Sequence, residues 1–155
     1  MFWKCIKILF VSMLPIVELR GAIPYASILD VPLYIAFPVA IIGNMLPVPF
    51  ILLFFKYLKK WLSNAPVVGK IITKVSLKAE KKAAEISTYE FLGVFIFVAI
   101  PLPGTGAWTG AVIATALGMR LKKALPAILL GVLSAGLIMS IIAYALPDVF
   151  ASLFA

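Results

Sequence analysis

Three stretches of the chain carry no charged side chain: Val31–Phe55 over 25 residues, Phe91–Met119 over 29 and Ala124–Pro147 over 24. About 20 apolar residues suffice for a helix to cross the hydrocarbon of a bilayer. Two shorter uncharged runs come first, the ten residues Ile8–Val17 between Lys7 and Glu18, and the nine residues Gly21–Leu29 between Arg20 and Asp30. A helix of ten residues rises about 15 Å, roughly half the hydrocarbon thickness. Neither arm crosses alone. Two half-length arms joined by a break predict a re-entrant helical hairpin, whose irregular backbone is tolerated at membrane depth only under cover of protein or water.

The run Phe91–Met119 has the same form: an arm Phe91–Ile100, a break Pro101-Leu-Pro-Gly-Thr-Gly106, and an arm Ala107–Met119. Two prolines and two glycines in six residues cannot sustain regular helix, so a second hairpin is expected in preference to one Pro-kinked span. The halves also echo each other. Leu14-Pro15 and Gly21-Ala22 recur as Ile100-Pro101 and Gly106-Ala107, at offsets of 86 and 85. Pro38-Val-Ala-Ile-Ile-Gly43 recurs as Pro126-Ala-Ile-Leu-Leu-Gly131, at an offset of 88. The predicted fold is an all-α integral membrane protein, a single membrane domain over 1–155 built as an inverted repeat. Each repeat is a re-entrant hairpin plus one transmembrane helix, repeat 1 over about 6–58 and repeat 2 over about 90–147. A unit with one crossing places its copy on the opposite side, and this is how many transporters are built.

Composition agrees with a bilayer as solvent. The chain is 64% hydrophobic and 13% charged with a mean hydropathy of +1.15, more apolar side chain than a soluble domain of this size can hide. Fourteen basic residues oppose six acidic ones, a balance that elsewhere raises nucleic acid as a partner. Here the lysines flank apolar runs, so they read orientation and anionic headgroups instead, and no nucleic-acid partner is expected. Eleven of the fourteen lie between Lys56 and Lys82 or at Arg120, Lys122 and Lys123. The positive-inside rule then makes the central segment cytoplasmic and both termini external. That segment, about 59–89, carries Val68, Ile71, Ile72, Val75, Ala79, Ala83 and Ile86 on one helical face and Lys70, Lys74 and Lys78 on another. It is a basic amphipathic cytoplasmic linker, lying on the membrane surface or packed on the core as an ordinary solvated helix.

The absence of histidine removes the commonest metal ligand, and the single cysteine, Cys5, precludes an internal disulfide. No constellation supports covalent or metal catalysis, so neither enzyme activity nor a cofactor or metal is expected. The N-terminal apolar run is not followed by a small-residue cleavage site and is read as mature structure.

The chemistry gathers at the two breaks. Glu18 and Arg20 sit beside Gly21 and Pro24, which imply unwound backbone. Residues two apart point to the same side of an extended chain, so both charges project into one cavity. Ionisable groups at membrane depth are costly and commonly paired. Glu18 is a candidate proton or cation site and Arg20 its partner or an anion ligand; the plain alternative is a structural ion pair or a solvated loop. The second break, Pro101, Pro103, Gly104, Thr105 and Gly106 followed by Trp108 and Thr109, offers backbone amides, two hydroxyls and an indole N–H. Such amides favour anions, although glycines are also what tight turns require. Asn44, Pro47 and Pro49 interrupt the first span; a polar Asn in a bilayer bonds to another helix or lines a cavity, and helix packing is the expected role of Asn44.

Pro15-x-x-Glu18-Leu-Arg20-Gly-Ala-Ile-Pro24, with Ile100-Pro-Leu-Pro-Gly-Thr-Gly-Ala-Trp-Thr-Gly110, resembles the small multidrug export protein family, a relative of the DedA membrane proteins. The resemblance covers nearly the whole chain. It implies two hairpins meeting at mid-membrane, in a multi-pass protein of the prokaryotic plasma membrane. It also implies cation- or proton-coupled transport of a small-molecule or lipid substrate, anionic in some members. Glu18 matches the acidic tip position and Arg20 a phosphate ligand, but the second hairpin lacks the arginines that many DedA proteins carry there. A lipid or polyprenyl-phosphate flippase or scramblase and a non-transporting membrane scaffold are the alternatives. The small size of the chain predicts a homodimer.

Overall fold

The computed structural model describes residues 1–63 and 83–145. The described residues are helical, without strands: α1 (Phe2–Met13), α2 (Glu18–Ile28), α3 (Leu33–Met45), α4 (Val48–Ser63), α5 (Ala83–Ala99), α6 (Ala107–Ala116) and α7 (Leu121–Ser140), which runs into a π-helical turn at Ile141–Ala145. The linker helix expected within 59–89 falls mostly on residues 64–82, outside the described residues.

Among the described residues, two stretches are long and apolar enough to cross a membrane, Leu33–Leu58 with a mean hydropathy of 2.0 and Leu121–Ala145 with 2.4. The first joins α3 to α4 through Leu46 and Pro47. Leu46 N–H still reaches Ile42 O at 2.9 Å, and Ile51 N–H takes Pro47 O at 3.0 Å, so the interruption expected there is confined to a two-residue junction.

The breaks decide where the short helices end. Between α5 and α6 the irregular stretch is 100–106, matching the Pro-Gly cluster. The other break lies earlier than expected. It occupies residues 14–17, and Gly21 and Pro24 lie inside α2 rather than in unwound backbone. The reason is local: the φ of proline suits a helix, and its missing N–H removes only one bond, to the carbonyl four residues earlier. Pro24 is buried against the bundle, and packing on one face holds the helix through it.

The backbone path of the two halves repeats. Five backbone hydrogen bonds that turn α2 into α3, such as Val31 N–H to Ala26 O and Ala36 N–H to Pro32 O, recur 88 positions later between α6 and α7, as Met119 to Ala114 and Ala124 to Arg120. Asp30, with φ 54°, and Gly118, with φ 77°, make the same left-handed turn at the same offset. Burial gives that register too: Ala22, Ile23 and Ala26 of α2 correspond to Gly110, Ala111 and Ala114 of α6. An offset of 88 aligns Glu18-Leu19-Arg20 with Gly106-Ala107-Trp108, so Gly21-Ala22 is not the counterpart of Gly106-Ala107. The offset of 86 holds before the break and 88 after it, because the second break is longer.

Packing follows one rule in both halves. The first short helix lies against the long helix of its own half, α1 on α3 and α5 on α7. The second touches the long helices of both halves, α2 on α3 and α7, α6 on α4 and α7. Two glycines at corresponding positions admit the close approaches. A Cβ on Gly43 would meet Leu9 O of α1 at 2.5 Å, and one on Gly131 would meet Phe95 O of α5 at 2.9 Å. The buried core is rich in alanine, including Ala36, Ala40, Ala124 and Ala127, whereas Phe10, Phe50, Phe54, Leu137 and Ile141 face outward. Small residues inside and large apolar ones outside is the arrangement expected when lipid is the solvent, since backbone proximity and van der Waals contact hold such helices together.

Candidate functional site

The turn after α1 delivers Glu18 in a left-handed conformation, φ 50°, uncommon for a residue with a side chain and costing on the order of 1–3 kcal/mol. The carboxylate it aims inward is nearly inaccessible, with Glu18 only 3% exposed. Glu18 and Arg20 occupy the first turn of α2, not extended chain as the sequence suggested. In a regular helix they would diverge. The positive φ at Glu18 turns its side chain toward Arg20, and the pair closes with Nη1 3.4 Å from Oε2.

Each member of the pair meets a helix end of the other half, where backbone groups lack intrahelical partners. Glu18 Oε1 accepts the backbone N–H of Trp108, at 3.2 Å, in the first turn of α6. A helix N-terminus leaves such amides unpaired and favours negative charge. Gly106, the residue before α6, brings no capping side chain of its own. A Cβ built on it would lie 1.4 Å from Glu18 Oε2. The glutamate therefore fills the space of the missing cap and does its work from another helix.

Arg20 covers the opposite pole. Its Nη2 lies 2.7 Å from Thr105 O, 2.9 Å from Thr105 Oγ1, 3.0 Å from Ile100 O and 3.4 Å from Val98 O. Two hydrogens face four acceptors and are shared among them, with Thr105 O the nearest and Val98 O the most distant. Val98 and Ile100 stand where α5 runs out of amide partners, and a cation there complements the helix dipole. Thr105 Oγ1 gives its own proton to Ile100 O at 2.7 Å or Leu102 O at 2.9 Å, which folds the break around the guanidinium. In return, Trp108 Nε1–H donates at 3.1 Å to Met13 O, the last residue of α1. The Trp108 amide at the start of α6 thus takes the chain's own carboxylate.

The structure thus brings together Glu18, Arg20, Thr105, Gly106 and Trp108. Gly104, with φ 82°, the half-buried Pro101 and the exposed Pro103 shape the turn without touching the pair. Gly21 packs on Val17, Pro24 lies farther along α2, and Thr109 stays outside these contacts.

One further residue, for which the sequence favoured packing over lining a cavity, stands beside the pair. Asn44 of α3, 2% exposed, lines a crevice with Glu18, Arg20, Val98 and Gly106 that has room, about 10 Å³, for roughly one water. Two buried polar atoms among the described residues lack a hydrogen-bond partner, Asn44 Oδ1 and Arg20 Nε, and both residues line this crevice. Its signal in the sequence was the lone amide in an uncharged run of 25 residues. Among the described residues no cluster of acidic, cysteine or histidine side chains could hold a metal ion.

Fold and site together define a helical integral membrane protein whose broken helices meet at a buried ion pair. The family model described as "Putative small multi-drug export protein" matches residues 18–138, and the chain belongs to that family. No curated protein and no solved structure matches it.

Proposed function

We propose that this protein is a cation- or proton-coupled exporter of small molecules. In this reading the helix pairs α1–α2 and α5–α6 are re-entrant hairpins of an inverted repeat, dipping from opposite faces, with the basic linker cytoplasmic. The observation that carries the proposal is the buried Glu18–Arg20 pair spanning the tips of both helix pairs beside a crevice with unsatisfied polar atoms. Secondary transporters place their sites where broken helices point their termini at charge. The family's printed name, multi-drug export, points the same way. The repeated corners at an offset of 88 and the matching packing of the helices in the two halves support the inverted repeat.

The mechanism follows from what the pair holds shut. A crevice of one water cannot admit a drug-sized molecule, which needs several hundred Å³. Passage requires the two tips to part, and the contacts that resist are those of Arg20 with Thr105 and of Glu18 with Trp108. A proton or cation arriving at Glu18 removes the charge that holds Arg20 Nη1 and frees the latch. Both terminal nitrogens of Arg20 are engaged with the chain itself, which favours a latch over a standing ligand for a phosphate. Glu18→Gln is expected to leave the protein folded in proteoliposomes while abolishing proton-driven export of amphiphilic drugs. Wild-type flux in that variant would sink the coupling role.

Asn44→Val supplies a milder test. Position 132, its counterpart 88 residues on, is already valine. We expect the variant to fold with little change in thermal stability, while coupled flux falls by about tenfold, the equivalent of one polar contact of about 1.4 kcal/mol to the transported proton or cation. Unchanged flux would make Asn44 a packing residue after all.

A further inference from the structure

The repeat makes an internal comparison available. At one corner, where α2 turns into α3, the gap to the π-helical turn is closed. Tyr144 Oη–H donates to Val31 O at 2.8 Å and Ser27 Oγ–H to Ala143 O at 3.1 Å. At the corresponding corner, where α6 turns into α7, the backbone follows the same path but the gap toward α4 is open. It forms a cavity of about 550 Å³, within the range of small-ligand sites.

The side chains explain the difference. Lys56 stands where the first corner has Tyr144, Arg120 where it has Pro32, Lys122 where it has Tyr34, and Gly118 where it has Asp30. Each exchange adds positive charge or removes the acid. Thr115, the counterpart of Ser27, bonds back to Ala111 O of its own helix at 2.9 Å instead of reaching across. Among the described residues the cavity therefore has three cations on its walls and no acidic residue, with Leu52, Met119 and Leu121 giving it an apolar side.

Its position selects the occupant. Lys56 lies near the end of the apolar stretch Leu33–Leu58, and Arg120 immediately precedes Leu121–Ala145. The cavity thus sits at headgroup level, where phosphate and the first carbons of an acyl chain coexist. Basic pockets between membrane helices hold anionic headgroups in this way. We propose that this corner is a binding site for the phosphate headgroup of an anionic phospholipid, held by Lys56, Arg120 and Lys122. It shares no residue with the Glu18–Arg20 crevice and stands whether or not that pair couples transport.

The test is native mass spectrometry of the purified protein with phosphatidylglycerol or phosphatidylcholine at equal concentration. The wild type should retain phosphatidylglycerol preferentially. Lys56→Tyr with Arg120→Gln should lose it by about 30-fold, the effect expected of two interfacial cations, while Lys4→Gln with Lys7→Gln at the other end changes it less than about twofold. Should Lys56→Tyr impair folding, Arg120→Gln with Lys122→Gln changes only exposed side chains and should give a comparable loss. Equal retention in the corner variants, or an equal loss in the Lys4 and Lys7 variant, would overturn the site. A third arm adds glycerol phosphate at about 10 mM. Lipid retained in its presence supports a membrane lipid as occupant; displacement would assign the corner to a soluble phosphate and overturn the lipid proposal.

Discussion

Gly106→Ala is expected to cost about 2–4 kcal/mol of stability and to abolish the coupled transport proposed above, although it adds a single methyl group. The added Cβ would lie 1.4 Å from Glu18 Oε2 and 2.1 Å from Cδ. A glutamate side chain is flexible enough to swing aside, so steric overlap is not the main cost. The cost is what the carboxylate leaves behind: the Trp108 amide at the start of α6 and the guanidinium of Arg20, both poorly placed to find water. A double-mutant cycle isolates this. In a Glu18→Ala background the same glycine change should cost less than about 0.5 kcal/mol, because the space is vacated. Thermal unfolding in detergent micelles reads both. Gly93→Ala is the matched control, since a Cβ there meets nothing within 4 Å, and it should be neutral or stabilising by up to about 1 kcal/mol. Equal costs for Gly106→Ala with and without Glu18 would mean that the carboxylate is not seated at α6.

Removing the cation should have an effect of similar size by a different route. Arg20→Ala leaves Glu18 buried without its partner and strips the donors from Thr105 O and Ile100 O, where a loss of about 3–5 kcal/mol is expected. Arg20→Lys discriminates charge from geometry. Arg20 uses Nη1 for Glu18 and Nη2 for Thr105, and a single ammonium cannot span both positions. We expect lysine to fall between, retaining the attraction to Glu18 and losing about 1–2 kcal/mol with the contacts to the second break. Full stability in Arg20→Lys would reduce the role of the fork to that of a point charge.

Both effects depend on an arrangement only partly legible along the chain. The break at 100–106 was readable because proline and glycine act on the backbone locally, and two of each in six residues leave no helical alternative. The same signal misled at Gly21 and Pro24. One proline removes one hydrogen bond, and a helix seated in a packed groove continues through it. Burial of Ala22, Ile23 and Ala26 shows that α2 is seated in this way. The register between halves was misjudged for a related reason. Matching Gly-Ala to Gly-Ala compares residue names, whereas the counterpart of a site is set by which side chains face the other half. Asn44 stood out along the chain, but an isolated polar residue in an apolar run carries no periodicity to say what it faces. Its meaning comes from Arg20 Nε and Glu18 lying across the crevice, contributed by a helix more than fifteen residues away in sequence.

Hydrophobic run lengths, the Pro-Gly breaks and the two stranded charges were determined by the sequence, because the free energy of placing a side chain in lipid and the allowed backbone angles are properties of residues taken locally. Which helix end each charge occupies was decided only by the tertiary structure. Glu18 caps a helix that begins 89 residues later, in the space that Gly106 leaves empty. Such a contact depends on two distant backbones closing to within hydrogen-bond distance, and that distance is set by packing across the whole bundle.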